Sequence, residues 1–203
     1  MDASSAFCFI DAASAQILRA SGVLEDFGIT LDLTALNPAT FGIGGTFRMR
    51  CIGPDGEEKW DEPLKNGVTT AALGDVLNVY LRQQPQTPQW FMGIIDNAGF
   101  TGLAAGDSMA SHPGWSEVTA YVGETRPSWS PNAATAGSVS NTTTVDFAIN
   151  AAKVIKGLFI ASASDKGGTA GLLFSTAAFS DGNKTVGAGD TLKVVYAVNA
   201  VAA

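Results

Sequence analysis

From residue 89 onward, short apolar-rich runs alternate with turn-forming clusters. The runs are Trp90–Ile95, Val118–Val122, Val145–Ile149, Ile155–Ala161, Leu172–Phe179 and Thr191–Val198. Between them stand Asp96-Asn97-Ala98-Gly99, Ser130-Pro131-Asn132, Asp165-Lys166-Gly167-Gly168, Asp181-Gly182-Asn183-Lys184 and Gly187-Ala188-Gly189-Asp190. Short strands divided by such turns predict an antiparallel β-sandwich or a jelly-roll-like barrel. Upstream, Phe47-Arg48-Met49-Arg50-Cys51-Ile52 alternates with period two, as a half-buried strand does. Gly53-Pro54-Asp55-Gly56 supplies a reversal, because proline presets φ and glycine tolerates the turn. Residues 47–62 therefore predict a hairpin. Val68, Ala71, Ala72, Val76, Val79 and Tyr80 fall on one helical stripe and predict a helix over 68–83, ended by Pro85 and Pro88.

Residues 1–45 differ in texture. Ile17, Leu18, Val23, Leu24 and Phe27 recur near helical spacing, with Asp11 as a possible N-cap and Gly28 as a stop. Ile29-Thr30-Leu31-Asp32-Leu33 alternates like a short strand, and Gly42-Ile43-Gly44-Gly45 reads as a flexible hinge. The expected organisation is an N-terminal arm over 1–45 and a mainly β domain over 46–203, with one or two helices in all. Phe7, Phe9 and Ile10 in the arm are candidates for contact with a neighbouring chain. So are Arg126, Pro127 and Trp129, in a segment that its prolines hold extended.

Composition narrows the function classes. Of 203 residues, 87 are Ala, Gly, Thr or Ser, only 15% are charged, and the net charge is −7. A nucleic-acid binder needs a basic surface to neutralise phosphates, so no nucleic-acid partner is expected. A disordered chain is excluded too, because 46% hydrophobic residues can build a core. No apolar run is long enough for a membrane span, and the N-terminus lacks a basic n-region, so synthesis in a cytoplasm is expected. Cys8 and Cys51 lie on separate segments and are expected as two free buried thiols, with a disulfide between them as the alternative. His112 is the single histidine, which leaves no zinc-ligand set and no cofactor to expect.

The remaining candidate chemistry is thin. Gly42–Gly45 lacks the third glycine of a dinucleotide loop and precedes a strand-like run. Asp107, Ser108 and His112 share one loop without a G-x-S-x-G elbow, so backbone hydrogen bonding competes with catalysis as their role. Glu57, Glu58, Asp61 and Glu62 could hold calcium or act as acid and base, but interleaved with Lys59 they match a solvated hairpin face. Trp60, Trp90, Trp115 and Trp129 could stack sugars or seal the end of a sandwich.

Three stretches carry a family likeness. The first is Glu58-Lys59-Trp60-Asp61-Glu62 through Asn66-Gly67-Val68-Thr69-Thr70 to Leu77. The second is Trp90-Phe91-Met92-Gly93-Ile94-Ile95-Asp96 through Ala110-Ser111-His112-Pro113-Gly114-Trp115-Ser116-Glu117. The third is Ile155-Lys156-Gly157-Leu158-Phe159-Ile160 through Thr169-Ala170-Gly171 and Leu173-Phe174-Ser175 to Gly189-Asp190-Thr191-Leu192-Lys193-Val194. In this order, over roughly residues 57–198, the chain resembles a family of small structural proteins encoded among the virion genes of tailed bacteriophages. The resemblance implies a non-enzymatic virion component: first a capsid decoration (cement) protein, alternatively a tail or fibre-adaptor component or a carbohydrate-binding sandwich on a fibre. The partners it implies are the major capsid protein and further copies of the chain in a homo-oligomer. Deleting residues 1–40 is expected to leave a folded β domain that enters particles poorly. An insoluble truncated chain would instead place those residues in the core.

Overall fold

The computed structural model describes residues 42–201; Phe7, Phe9, Ile10, Cys8 and the helix and strand expected over 11–33 lie outside them. Eleven strands and one helix follow in the order β1 (Gly42–Ile52), β2 (Glu58–Val68), α1 (Thr70–Arg82), β3 (Trp90–Asp96), β4 (Glu117–Val118), β5 (Ser128–Trp129), β6 (Ser138–Ser140), β7 (Val145–Ala148), β8 (Lys153–Ala161), β9 (Leu173–Ala178), β10 (Lys184–Val186) and β11 (Thr191–Val201). Neighbouring strands run β4-β3-β8-β9-β2-β1-β11-β6, with β10 beside β8, β5 beside β3 and β7 beside β11. The sheet is mainly antiparallel and does not close into a barrel, so the architecture is a sandwich and not a jelly-roll-like barrel.

Strand β2 joins the two halves. Thr46↔Lys65 through Cys51↔Trp60 pair it with β1, while Asn66↔Ala177 through Val68↔Ser175 pair its far end with β9. The main core lies between the halves. Phe47, Met49, Cys51, Leu192, Val194 and Tyr196 enter it from one side, and Met92, Ile94, Ile155, Leu158 and Ile160 from the other. Alternation in β1 is clean, with Arg48 and Arg50 exposed between Phe47, Met49 and Cys51. In β8 it disappears: Gly157 to Ala161 are all buried. Phe159 and Ala161 face away from the main core, into a second cluster with Ile95, Met109, Trp115 and Leu173. A strand reads as a continuous apolar run when both of its faces are covered.

Two sequence expectations need correction. Gly42–Gly45, expected as a flexible hinge, form the start of β1. A Cβ on Gly45 would run into the Ala197 carbonyl oxygen and crowd the Tyr196 ring, so glycine there permits close approach to β11. The expected strand Val118–Val122 shrinks to two residues, after which Tyr121 makes an isolated bridge to Ile149.

A buried polar network links the halves. The Asn141 amide oxygen accepts from Trp129 Nε1 at 2.9 Å and from the Tyr196 backbone N–H at 2.8 Å. Its Nδ2 donates to the carbonyls of Thr143 and Val194. The Tyr196 ring stacks on Phe47 with centroids 3.9 Å apart, and its hydroxyl lies 2.6 Å from Asn66 Nδ2 and 3.0 Å from Ser175 Oγ. An Asn141→Ala variant strands the Trp129 and Tyr196 donors together. It should lose about 3 kcal/mol in guanidinium unfolding, at 1–3 kcal/mol for each buried unsatisfied group. Exposed Asn183→Ala should stay within about 0.5 kcal/mol.

Candidate functional site

The Asp107–His112 loop, Trp115 and Arg126 meet on the outer face of β3 and β8. The chain between Asn97 and Ser116 folds back over Ile95 and Phe159, with Phe100 and Leu103 packed at its edge. Glycine at 93 makes room for this layer, since a Cβ there would collide with the Phe159 ring and press on Glu117 Oε1. Trp115, only 5% exposed, packs against Phe159 with centroids 5.1 Å apart. The His112 imidazole stacks on Trp115 at 3.9 Å. The Arg126 guanidinium lies 5.1 Å from the Phe159 ring centroid, a cation–π contact.

Asp107, Ser108 and His112 do share this loop, but no hydrogen bond joins them to one another. Asp107 Oδ2 accepts from Trp115 Nε1 and from the Ala104 backbone N–H, both at 3.0 Å. Ser108 Oγ accepts from the Ser111 backbone N–H. His112 Nδ1 donates to the Trp115 carbonyl at 2.9 Å. A hydrolytic triad requires the histidine to face the nucleophile and the carboxylate to orient the histidine. In this loop all three groups close turns and hold Trp115 over the sheet.

Arg126 was expected to meet a neighbouring chain, and the fold corrects that. It is 1% exposed. Nε and Nη2 grip Glu117 at 2.9 and 2.7 Å, Nη1 donates to Ala163 O, and Nη2 also donates to Gly168 O. Glu117 Oε2 accepts in addition from the Gly167 N–H. One ion pair thus ties the end of the 97–116 loop and the approach to β5 to the 162–168 loop. Trp129, 6% exposed, is likewise internal, and Trp90↔Trp129 pairs β5 onto β3. Pro127 is half-buried, and its carbonyl accepts from the Met92 N–H. The segment behaves as an added edge strand of its own sheet, which consumes the groups offered to a neighbour.

The tryptophans do not form a sugar platform. Trp60 and Trp90 pack against the main core, Trp60 edge-on to Phe179 and Trp90 to Phe174. Trp90 and Trp129 border a cavity of about 110 Å³ shared with Val139, Ile160, Phe174 and Val198, which offers no polar group to a hydroxyl-rich ligand.

The acidic hairpin is a ladder of ion pairs. Asp61 takes a bidentate grip from Arg48, Glu58 faces Arg50 at 3.7 Å, and Glu62 pairs with Lys184. Hydrogen bonding from Arg48 holds the Asp61 carboxyl below the usual range. Among the described residues no group of three metal-ligating side chains converges. Buried Cys51 is a free thiol whose Sγ lies 3.6 Å from Asp190 Oδ2. Burial, then the Asp190 charge, pushes it up to about 12, so it stays protonated at neutral pH. Burial pushes Asp190 up, yet the Gly187 N–H and Lys59, 2.7 Å away, outweigh this and keep it lowered.

No family model matches the chain, and no curated protein is significantly similar to it. No helix among the described residues is long and apolar enough to cross a membrane.

The Glu117–Arg126 pair generates a specific expectation. Arg126→Met leaves a buried carboxylate without its cation and should cost about 3–5 kcal/mol. Adding Glu117→Gln removes the orphaned charge and should recover part of that loss. Thermal unfolding of the two variants checks both values, and no recovery in the double variant would refute the pairing.

Proposed function

We propose that the chain is a non-enzymatic structural component of a tailed-bacteriophage virion. Its role is that of a decoration protein that reinforces the shell by bridging major capsid subunits. The observation that carries this proposal concerns the residues of the family likeness. His112, Trp115 and Glu117, together with Arg126 beyond the matching stretches, lock loops onto a sheet. The polar groups of Asp107, Trp115, Glu117 and Arg126 are committed to a turn, an indole or an ion pair, and His112 Nδ1 to the Trp115 carbonyl. An assembly protein needs such an invariant frame, together with surface that a neighbour can cover without stranding charge. Low charge density supplies that surface. From residue 127 to 203 only nine side chains carry charge. The net charge of −7 also suits a position away from packaged DNA.

Mass spectrometry of particles purified from a lysate carrying this gene tests the proposal. The chain is expected as a stoichiometric component. Hundreds of copies per particle would fit shell symmetry, whereas about three to twelve would move the protein to the tail or a fibre adaptor. Particles that lack the chain altogether would overturn the virion role.

A further inference from the structure

Helix α1 has two apolar faces, and the fold uses one of them. Thr69 caps it: Oγ1 accepts from the Ala72 N–H and donates to Leu173 O, which anchors the helix start to β9. Ala72 is buried, and Val76 and Val79 are half-buried on that side. Leu73, Leu77, Tyr80 and Leu81, at helical positions i, i+4, i+7 and i+8, form a second stripe. They are 42%, 55%, 84% and 70% exposed, so the stripe opens toward the helix end. A helix of 13 residues is marginal in water by itself, and a single buried alanine adds little support.

We propose that this stripe packs against the same stripe of a second copy of the chain, as an antiparallel helix pair with Leu77 on the twofold axis. The stripe is self-complementary in that arrangement. Leu73 meets Tyr80 of the second copy, and Gly74 faces its Leu81. Nothing lies within 4 Å of a Cβ placed on Gly74, so the notch is open to receive a side chain. Asp75 and Arg82 project off the stripe, and pairing buries no charge. Antiparallel alignment also sets each helix N-terminus beside the other's C-terminus, which the helix dipoles favour. Three leucines and a tyrosine exposed to this degree offer roughly 500 Å² per copy, or about 1,000 Å² for the pair, the threshold of a specific interface. The charge balance argues against a lipid surface as the occupant. An interfacial helix draws on flanking Lys and Arg, and α1 has Arg82 alone in a chain of net charge −7.

The pairing belongs to the isolated chain and does not depend on the virion role. Sedimentation velocity of the full chain over a wide concentration range should show reversible association to two chains. Leu77→Lys should weaken it at least about tenfold, while the melting temperature at dilutions where both proteins are single chains stays unchanged, because Leu77 lies outside the core. In a Cys8→Ser background, Leu77→Cys should oxidise to a covalent dimer. Leu73→Cys should not, since its two copies would lie about 12 Å apart along the axis. Single chains at every concentration would overturn the proposal. So would association beyond two chains, a dimer indifferent to Leu77→Lys, or equal cross-linking at both positions.

Discussion

The side-chain amide of Asn141 has no water to turn to, and its partners come from both halves of the sandwich. Its oxygen takes the Trp129 indole from β5 and the Tyr196 N–H from β11, and its nitrogen donates to the carbonyls of Thr143 and Val194. Tyr196 continues the link through its hydroxyl to Asn66 on β2 and Ser175 on β9, while its ring lies flat on Phe47. Apolar packing alone tolerates sliding, because it is proportional to area and indifferent to direction. Buried hydrogen bonds do not, since a shifted partner leaves a desolvated polar group behind. The spacing and register of the two halves therefore depend on this network.

The outer face of β3 and β8 follows the same logic with a charge added. A buried guanidinium is costly unless all its directions are answered. Arg126 answers them with Glu117, two loop carbonyls and the face of Phe159. That constraint ties segments distant in sequence to one point, and the stack of His112, Trp115 and Phe159 fills the space beneath. Residue types usually associated with catalysis or recognition are here components of a packed layer. The same layer explains why β8 can be apolar at successive positions.

Much of the architecture was legible in residue order. Period-two alternation marked β1, and strong β-formers between turn clusters marked β3, β7, β8, β9 and β11. The helix appeared within two residues of its expected ends. Two- and three-residue strands such as β5, β6 and β10 escaped because they contain too few positions to show a period. The site was less legible. Arg126, between threonine and proline in a polar stretch, has the local pattern of an exposed contact residue. Its ion partner is nine residues away, but its carbonyl partners are 37 and 42 residues away. No local signal encodes contacts of that separation.

Residue order alone is enough for the class of structure: a mainly β, charge-poor chain with a hairpin at 47–62 and one helix near 68–83. These properties are sums over short-range preferences, and so they survive without knowledge of the fold. That Gly42–Gly45 is strand, that Arg126 and Trp129 are internal, and that Leu73, Leu77, Tyr80 and Leu81 face outward depends on contacts between distant segments. Burial is a property of what lies opposite a residue. A helix with apolar side chains on two faces cannot signal which of them the sheet will cover.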